Sequence, residues 1–229
     1  MTSTSYVSGL DLGQQTDHTA LVTVERTTSA APGPDLRTVA RHDVRHIHRW
    51  TLGTPYPAII EDLQKWFRTP MLRGSALVVD KTGVGGGVVP MIEAADLLCT
   101  LAPVTITAGF NEGRDTQGHL TVPKKDLVFA VVAALQTQRL RYAEVLPLRP
   151  VLEKELETFR VKVTADRNET FAAWREKDHD DLVLALALAV WFGETQGADG
   201  GGYGTDYSDP LGGLPAGTFS GSLPSDIFG

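Results

Sequence analysis

The chain is poor in cysteine, and this excludes several classes of protein. Its 229 residues include a single cysteine, Cys99, which lies in the apolar run DLLCTLAP. One thiol excludes a disulfide framework within the chain and any zinc cluster built from cysteines. We therefore expect a protein of a reducing compartment, the cytoplasm.

Long apolar runs are also lacking, and the first residues do not resemble a signal peptide. No uninterrupted apolar stretch approaches the roughly 20 residues that a membrane-spanning helix needs. The opening residues MTSTSYVSG do not contain the basic and apolar regions of a signal peptide. The sequence therefore predicts an intracellular protein without a membrane partner.

Positive charge is not in excess over the chain as a whole. The formal net charge is −7 at pH 7, which argues against a generally basic nucleic-acid coat. Residues 196–229 hold four Asp residues and ten Gly but no Lys or Arg, a composition typical of a flexible tail. We expect residues 1–195 to form one domain and residues 196–229 to form a Gly/Asp-rich tail.

A P-loop is missing as well. The glycine stretch TGVGGG does not fit the pattern GxxxxGK[ST], and no Lys follows its glycines. This argues against a P-loop ATPase. The glycines instead let the chain turn tightly, either next to a functional site or for purely structural reasons, and the two explanations are about equally good.

The rest of the sequence alternates between strand and helix patterns. Three consecutive antiparallel strands are predicted at the start, in YVSGLDLG, HTALVTVERTT and LRTVARHDVRHIHRW. Later strands are predicted in SALVVD, APVTITAG and LRYA, the last as an edge strand, and helices in YPAIIEDLQKWF, VVPMIEAADLLC, KKDLVFAVVAALQTQRL and RPVLEKELETF. We interpret FNEGRDTQGHLTVP as a loop, RVKVTADRNETFAAW as a β-hairpin, and residues 180 to about 192 as a buried helix. This order predicts an α/β domain with a mixed sheet, whose ligands bind at the carboxyl ends of strands.

Acidic residues stand where three of these elements begin or end. Asp11 closes the first strand and Asp80 ends SALVVD, while Asp178, Asp180 and Asp181 crowd the start of the last helix. For Asp11 or Asp80 alone, a simple turn is the better explanation, whereas the start of the last helix is explained equally well by capping or by a metal site. However, three carboxylates within four residues repel one another unless solvent, a basic residue or a cation compensates. A mixed sheet could bring all three elements to one edge, where oxygen ligands suit Mg²⁺ or Mn²⁺.

The ordered set of these motifs resembles the RNase H-like nuclease domain of tailed-phage terminase large subunits, with RuvC-type resolvases as relatives. The resemblance covers about residues 6–193, in the stretches GLDLGQQTDHTALVTVE, ALVVDKTGVGG, KKDLVFAVVAALQTQRLRY, LEKELETFRVKVT and HDDLVLALALAVW. It implies an RNase H-like mixed sheet with three antiparallel N-terminal strands, flanked by helices. It also implies a metal-dependent endonuclease that cuts double-stranded DNA in phage genome packaging.

The same resemblance assigns the catalytic carboxylates. They carry over to Asp11, Asp80 and Asp181, with Asp180 as a further metal ligand. Two Mg²⁺ or Mn²⁺ ions held there would activate a water and stabilise the leaving oxygen of a phosphodiester. Asp11 is the candidate to bridge both ions.

Further residues are candidates for supporting roles. Asp178 is the alternative to Asp180 as the assistant of Asp181, and His179 could orient water or contact phosphate, or be only a solvated residue at the helix start. Local cations are needed for phosphate contacts. The candidates are Lys124, Lys125, Arg160 and Lys162.

The third predicted strand carries three histidines. His46 and His48 share a face of that strand, with His42 further back. Strand histidines without a partner cluster usually serve in packing or at the surface, so this interpretation is preferred over a zinc site.

Partners follow from the resemblance. They are double-stranded DNA and, in a phage packaging motor, an ATPase domain or subunit and the portal, in the host cytoplasm. Two other functions remain open: a non-catalytic DNA-packaging or DNA-binding module of the same fold, and a fragment of an actin-like or sugar-kinase ATPase, whose first hairpin also carries a turn like DLG.

Overall fold

The computed structural model describes residues 2–13, 17–30, 38–165 and 180–198. The strands of this part are β1 (Ser3–Asp11), β2 (Ala20–Ala30), β3 (Thr38–Arg49), β4 (Ala76–Asp80), β5 (Thr100–Thr107), β6 (Gly113–Arg114), β7 (Leu120–Pro123) and β8 (Leu140–Tyr142). The helices are α1 (Tyr56–Phe67), α2 (Gly85–Ala94), α3 (Lys124–Gln136), α4 (Arg149–Ala165) and α5 (Asp181–Ala198).

All these strands belong to one mixed sheet in the order β6-β7-β5-β4-β1-β2-β3-β8. The first three strands are antiparallel neighbours, whereas β4, β5 and β7 continue from β1 as parallel strands. The short β8 lies at the edge, parallel to β3, as LRYA predicts. The predicted α/β fold, a mixed sheet with three antiparallel N-terminal strands flanked by helices, is confirmed.

Each face of the sheet is covered by its own set of helices. Tyr6 and Leu10 of β1 pack with the residues of α1 and α2, whereas Val7 packs with those of α3, α4 and α5. Successive residues of a strand point to opposite faces. Gly9 and Asp11 therefore belong to the face of Val7, the face covered by α5.

Helix α5 is the central helix of the core. Every residue from Leu182 to Phe192 is buried, because the helix packs against the sheet and also against α3 and α4. A helix enclosed on all sides is apolar all round. This explains the LVLALALAVWF sequence. None of the helices in the described ranges is long and apolar enough to cross a membrane.

Two predicted segments are wrong. The stretch interpreted as a loop contains β6 and β7, which extend the sheet beyond β5. Residues 160–165, predicted as the first strand of a hairpin, are instead the end of α4. The remainder of that hairpin, residues 166–174, lies outside the described residues, as do residues 199–229 of the predicted tail.

Candidate functional site

Asp11 and Asp80 end two neighbouring parallel strands on the same face of the sheet. The last paired residues of β1 and β4 are Leu10 and Val79, and each Asp is the next residue in its strand. Since Leu10 and Val79 pack towards α1 and α2, the two Asp residues face the other side. Adjacent strands lie about 4.8 Å apart. The two carboxylates thus start from adjacent points at one edge.

Asp80 is held by the turn that follows it. It is only 2% exposed, and its Oδ1 accepts a hydrogen bond of 2.8 Å from the backbone N–H of Thr82. Helix α2 begins close by: a Cβ atom at Gly85 would lie 2.1 Å from the carbonyl oxygen of Asp80. Gly83 adopts a φ of +65°. The glycines of TGVGGG therefore permit a tight turn beside Asp80.

Helix α5 rests directly on the backbone of β1. A Cβ atom at Gly9 would lie 1.9 Å from the carbonyl oxygen of Ala185, so this contact requires glycine. Asp181 precedes Ala185 by one helical turn, about 6 Å. Asp11 follows Gly9 by two residues, about 7 Å. Asp181 and Asp11 therefore lie at similar distances from the point where Ala185 of α5 contacts Gly9 of β1.

The strand register shows that Asp181 and Asp11 lie towards the same edge. Asp11 pairs with Ala20 and Ala20 with Arg49, so these residues form one row across β1, β2 and β3. Arg49 Nη2 lies 3.3 Å from Asp181 Oδ2. The start of α5 is thus fixed at the row that contains Asp11, and the three predicted catalytic positions converge on one edge of the sheet.

Glu155 of α4 completes this arrangement. Its Oε2 accepts hydrogen bonds from the backbone N–H groups of Leu182 and Val183, at 3.0 and 3.2 Å, and its Oε1 accepts one from Arg49 Nη2. Glu155 therefore stabilises the first turn of α5, where unpaired N–H groups favour a negative charge. The pKa of Glu155 is raised to about 7, mainly by burial and to a smaller extent by the charge of Asp181, although Arg49 and the Val183 N–H act in the opposite direction.

Sequence reasoning missed Arg49 and Glu155. Arg49 carries no motif, and its row depends on the strand register. Glu155 does leave a signal, because it stands three residues after Leu152, on the face of the helix that is otherwise apolar. A carboxylate at such a position predicts a buried partner.

The remaining candidates near the start of α5 are Asp180, Asp178 and His179. Asp180 lies immediately before α5, and its backbone carbonyl accepts a hydrogen bond of 2.9 Å from the N–H of Leu184. It therefore occupies the N-cap position of the helix. Asp178 and His179 lie outside the described residues.

Lys81, the residue after Asp80, connects the site to the turn between β6 and β7. Its Nζ donates to Asp115 Oδ2 and His119 Nδ1, both at 2.8 Å, and to Gln117 Oε1. An ammonium group has three protons to donate, and here each finds an acceptor. Lys81 therefore attaches the β6–β7 turn to the end of β4.

The predicted DNA-contacting residues fall into two groups. Lys124 and Lys125 begin α3 directly after β7, at the same edge as Asp80, since β4, β5 and β7 are parallel. Lys125 Nζ lies 4.9 Å from the ring centroid of Phe110, a side chain that is 80% exposed. Arg160 and Lys162 belong to α4 and not to a hairpin. Their side chains lie outside the described part.

The histidines of β3 are packing residues. His46 and His48 pack edge-on against Trp66, with ring centroids 5.2 and 5.0 Å away. Burial, together with the nearby His48, lowers the pKa of His46 to about 3. His42 is fully buried and its Nε2 lies 2.8 Å from Glu194 Oε1.

The chemistry of the donor set fits hard divalent cations, since Asp11, Asp80 and Asp181 offer only carboxylate oxygens. As the side chains stand, no three His, Cys, Asp or Glu residues within the described ranges are placed so that they could hold a metal ion together. Asp80 contacts Thr82, and Asp181 contacts Arg49. The backbone positions of Asp11, Asp80 and Asp181 therefore lie at the same edge of the sheet, while the carboxylates of Asp80 and Asp181 are in contact with other groups of the protein.

Comparison with known proteins gives a likeness of fold. No protein-family model matches the chain, and no curated protein matches it. The large terminase nuclease from thermophilic phage G20c with bound zinc is 17% identical, with 81% of this chain and 80% of that chain covered and a TM-score of 0.44. The human cytomegalovirus terminase nuclease domain is 10% identical, with 86% and 87% covered and a TM-score of 0.45. Thermus thermophilus RuvC is 12% identical, with 81% and 91% covered and a TM-score of 0.38.

Proposed function

We propose that this chain is a metal-dependent endonuclease that hydrolyses phosphodiester bonds of double-stranded DNA. The observation that supports this most directly is the convergence of Asp11, Asp80 and Asp181 at one edge of the sheet, from three elements far apart in the sequence. Capping and turn formation account for single Asp residues. They do not account for three such residues meeting at one edge.

The three carboxylates would hold the ions, with Asp180 as an additional ligand. Bound Mg²⁺ or Mn²⁺ in a pair would activate a water and stabilise the leaving oxygen. Asp11 suits a bridging position, because β1 lies between β4, which carries Asp80, and the β2–β3 side where Asp181 contacts Arg49. The firm packing of α5 on Gly9 fixes the distance between the two elements.

DNA would approach the carboxyl edge of the sheet. Lys124 and Lys125 lie at this edge and would contact phosphates, whose binding needs local positive charge. Arg160 and Lys162 of α4 are proposed for the same role. Asp178 and His179 are proposed as auxiliary residues next to the start of α5.

The proposal extends to a role in phage genome packaging, with an ATPase domain or subunit and a portal as partners. This part is supported by the motif resemblance alone. Residues 1–195 would form the nuclease domain and residues 196–229 a tail.

A plasmid assay tests the proposal. Supercoiled DNA is incubated with the protein in Mg²⁺, Mn²⁺ or EDTA, and nicked and linear products are quantified. We expect cleavage with either ion and none in EDTA. Asp80→Asn should reduce cleavage by at least about 100-fold, as loss of a group acting in the transition state does. The matched control is Glu61→Gln, an exposed carboxylate on α1 at the opposite face of the sheet, which should cleave normally.

Other outcomes identify the alternatives. Cleavage by Asp80→Asn at the normal rate would overturn the site assignment. DNA binding without cleavage by the unaltered protein would favour the non-catalytic module. ATP hydrolysis without DNA cleavage would favour the actin-like or sugar-kinase interpretation.

A further inference from the structure

Arg49 lies between two anions that belong to different helices. Its Nη2 donates to Glu155 Oε1 and lies 3.3 Å from Asp181 Oδ2. The Arg49 side chain is 16% exposed, and those of Glu155 and Asp181 are each 7% exposed. One positive charge therefore faces two largely buried negative charges.

Glu155 is bound to α5 independently of Arg49. Its Oε2 accepts the N–H groups of Leu182 and Val183, so Glu155 keeps its position through the backbone of α5. Arg49 would therefore retain a fixed anionic partner if Asp181 turned away. A buried charge that keeps one partner avoids the large energetic cost of an unpaired buried ion.

We infer that Arg49 is a cation built into the site. While no divalent ion is bound, Arg49 neutralises the charge of Asp181. When a divalent ion binds Asp181, Arg49 stays paired with Glu155 alone. This inference rests on the proposed function, since it concerns the same ion. Arg49 then acts as a positioning residue: it holds the start of α5 in place and sets how strongly an ion is bound.

The inference makes a prediction that a purely structural ion pair does not share. If the charge of Arg49 is removed, the carboxylates of Asp181 and Glu155 are no longer neutralised by a competing cation, so the divalent ion should bind more tightly. If the charge of Glu155 is removed, Asp181 is the only remaining anionic partner of Arg49. Arg49 then competes more strongly with the divalent ion for Asp181, so the ion should bind more weakly. A pair that only stabilised the fold would loosen the site in both variants and weaken binding in both.

The experiment measures Mn²⁺ binding to the full chain in the absence of DNA, by calorimetry and by the electron paramagnetic resonance of free Mn²⁺, at pH 8.5. We expect Arg49→Gln to lower the Kd about tenfold and Glu155→Gln to raise it about tenfold. Arg49→Lys keeps the charge and should stay within about threefold of the unaltered protein. If Arg49→Gln does not fold in EDTA, the double variant Arg49→Gln with Glu155→Gln replaces it. This variant removes both partner charges and leaves Asp181 without a competing cation, so its Kd should be no higher than that of the unaltered protein, whereas loss of a purely structural pair would raise the Kd.

A neighbouring ion pair on the same strand supplies the matched control. Arg45 lies four residues before Arg49 in β3, and its Nε is 3.1 Å from Glu25 Oε2. Among the ion pairs of the described residues, Arg45 has no contact with Asp181. Arg45→Gln and Glu25→Gln should each leave the Kd within about twofold, because their charges do not compete for Asp181.

The outcomes separate this inference from the proposed function. If the unaltered protein binds no Mn²⁺, the metal site itself is overturned, and the inference with it. If it binds Mn²⁺ but Arg49→Gln and Glu155→Gln shift the Kd in the same direction or not at all, only the role of Arg49 is overturned.

Discussion

Gly9 of β1 and Ala185 of α5 are in backbone contact at the centre of the core. A Cβ atom on residue 9 would lie 1.9 Å from the Ala185 carbonyl oxygen and 3.0 Å from the Ala189 nitrogen. Both neighbours are backbone atoms, which cannot turn aside as a flexible side chain can. The position of α5, and with it that of Asp181, depends on this contact.

Gly9→Ala should therefore move α5 away from β1. We expect the free energy of unfolding to fall by about 3 kcal/mol, at the upper end of overpacking effects, and cleavage activity to fall with it. Urea denaturation followed by circular dichroism measures the first. Gly87→Ala is the matched control: an added Cβ there meets nothing within 4 Å, so stability should stay level or rise by about 1 kcal/mol. Equal effects of the two substitutions would contradict the role of the contact.

Glu155 should make the metal-free protein less stable as the pH rises. Its pKa is raised from 4.5 to about 7 in the folded protein, so the folded state binds more protons than the unfolded state between these values. Stability then falls with rising pH across this window, by about 1 kcal/mol per pH unit at most. The difference in unfolding free energy between the unaltered protein and Glu155→Gln, measured in EDTA from pH 4.5 to 7.5, should show this slope.

The control for that series is Glu157→Gln, an exposed carboxylate two residues further along α4. This variant should keep the pH dependence of the unaltered protein. A slope that persists unchanged in Glu155→Gln would show that another group is responsible.

His46 should act in the opposite direction. Its pKa is lowered from 6.5 to about 3 by burial, so the unfolded state binds more protons than the folded state between these values. Stability is therefore lost as the pH falls below 6.5, by roughly 1 kcal/mol per unit. In His46→Phe, which keeps a ring against Trp66, the loss between pH 6.5 and 4.5 should be smaller by roughly 2 to 3 kcal/mol. Parallel stability curves for the two proteins would exclude His46 as the titrating group.

Lys81→Met should loosen the turn between β6 and β7. The substitution keeps the apolar stem of the side chain but removes the hydrogen bonds to Asp115, Gln117 and His119. The Lys81 hydrogen bond is also the main cause that lowers the pKa of Asp115, so that pKa should rise towards its ordinary value. Hydrogen exchange of residues 113–121 should accelerate, since local opening no longer breaks these bonds.

Lys65→Met provides the comparison, because Lys65 pairs with Glu61 and Asp62 on the exposed face of α1. Such surface pairs contribute little, so exchange in α1 should hardly change. Unchanged hydrogen exchange in residues 113–121 of Lys81→Met would contradict the attachment of the β6–β7 turn through Lys81.

The long elements were predictable because their periodicity reflects burial. In α1, the helical spacing visible in the sequence matches the residues that are buried. The alternation in β2 locates that strand correctly, although residues 20–24 are all buried because both faces of the sheet are covered. The two-residue β6 and four-residue β7 were not predictable, because strands this short exist only through pairing with a neighbour. The apparent strand RVKVT extends α4 instead, since adding residues to an existing helix is easier than starting a new element.

The acidic positions at the strand ends follow from the sequence alone, because a short apolar run that ends in Asp is typical of a strand followed by a turn. The role of Arg49 does not. A register shift between Thr23 and Val24 leaves Arg45 as an extra residue in β3, and a shift by one residue exchanges the faces of all side chains beyond it. Without that bulge, Ala20 would pair with His48, and Arg49 would point away from α5.

The sequence by itself thus determined the order of elements, the apolar helix α5 and the acids at the element ends, since these depend on local pattern. Only the tertiary structure decided which charges meet. Arg49, Glu155 and Asp181 come from β3, α4 and α5, and their contact depends on a bulge, a crossing at a glycine and the packing of two helices. Such relations exist between elements and leave no pattern within any one of them.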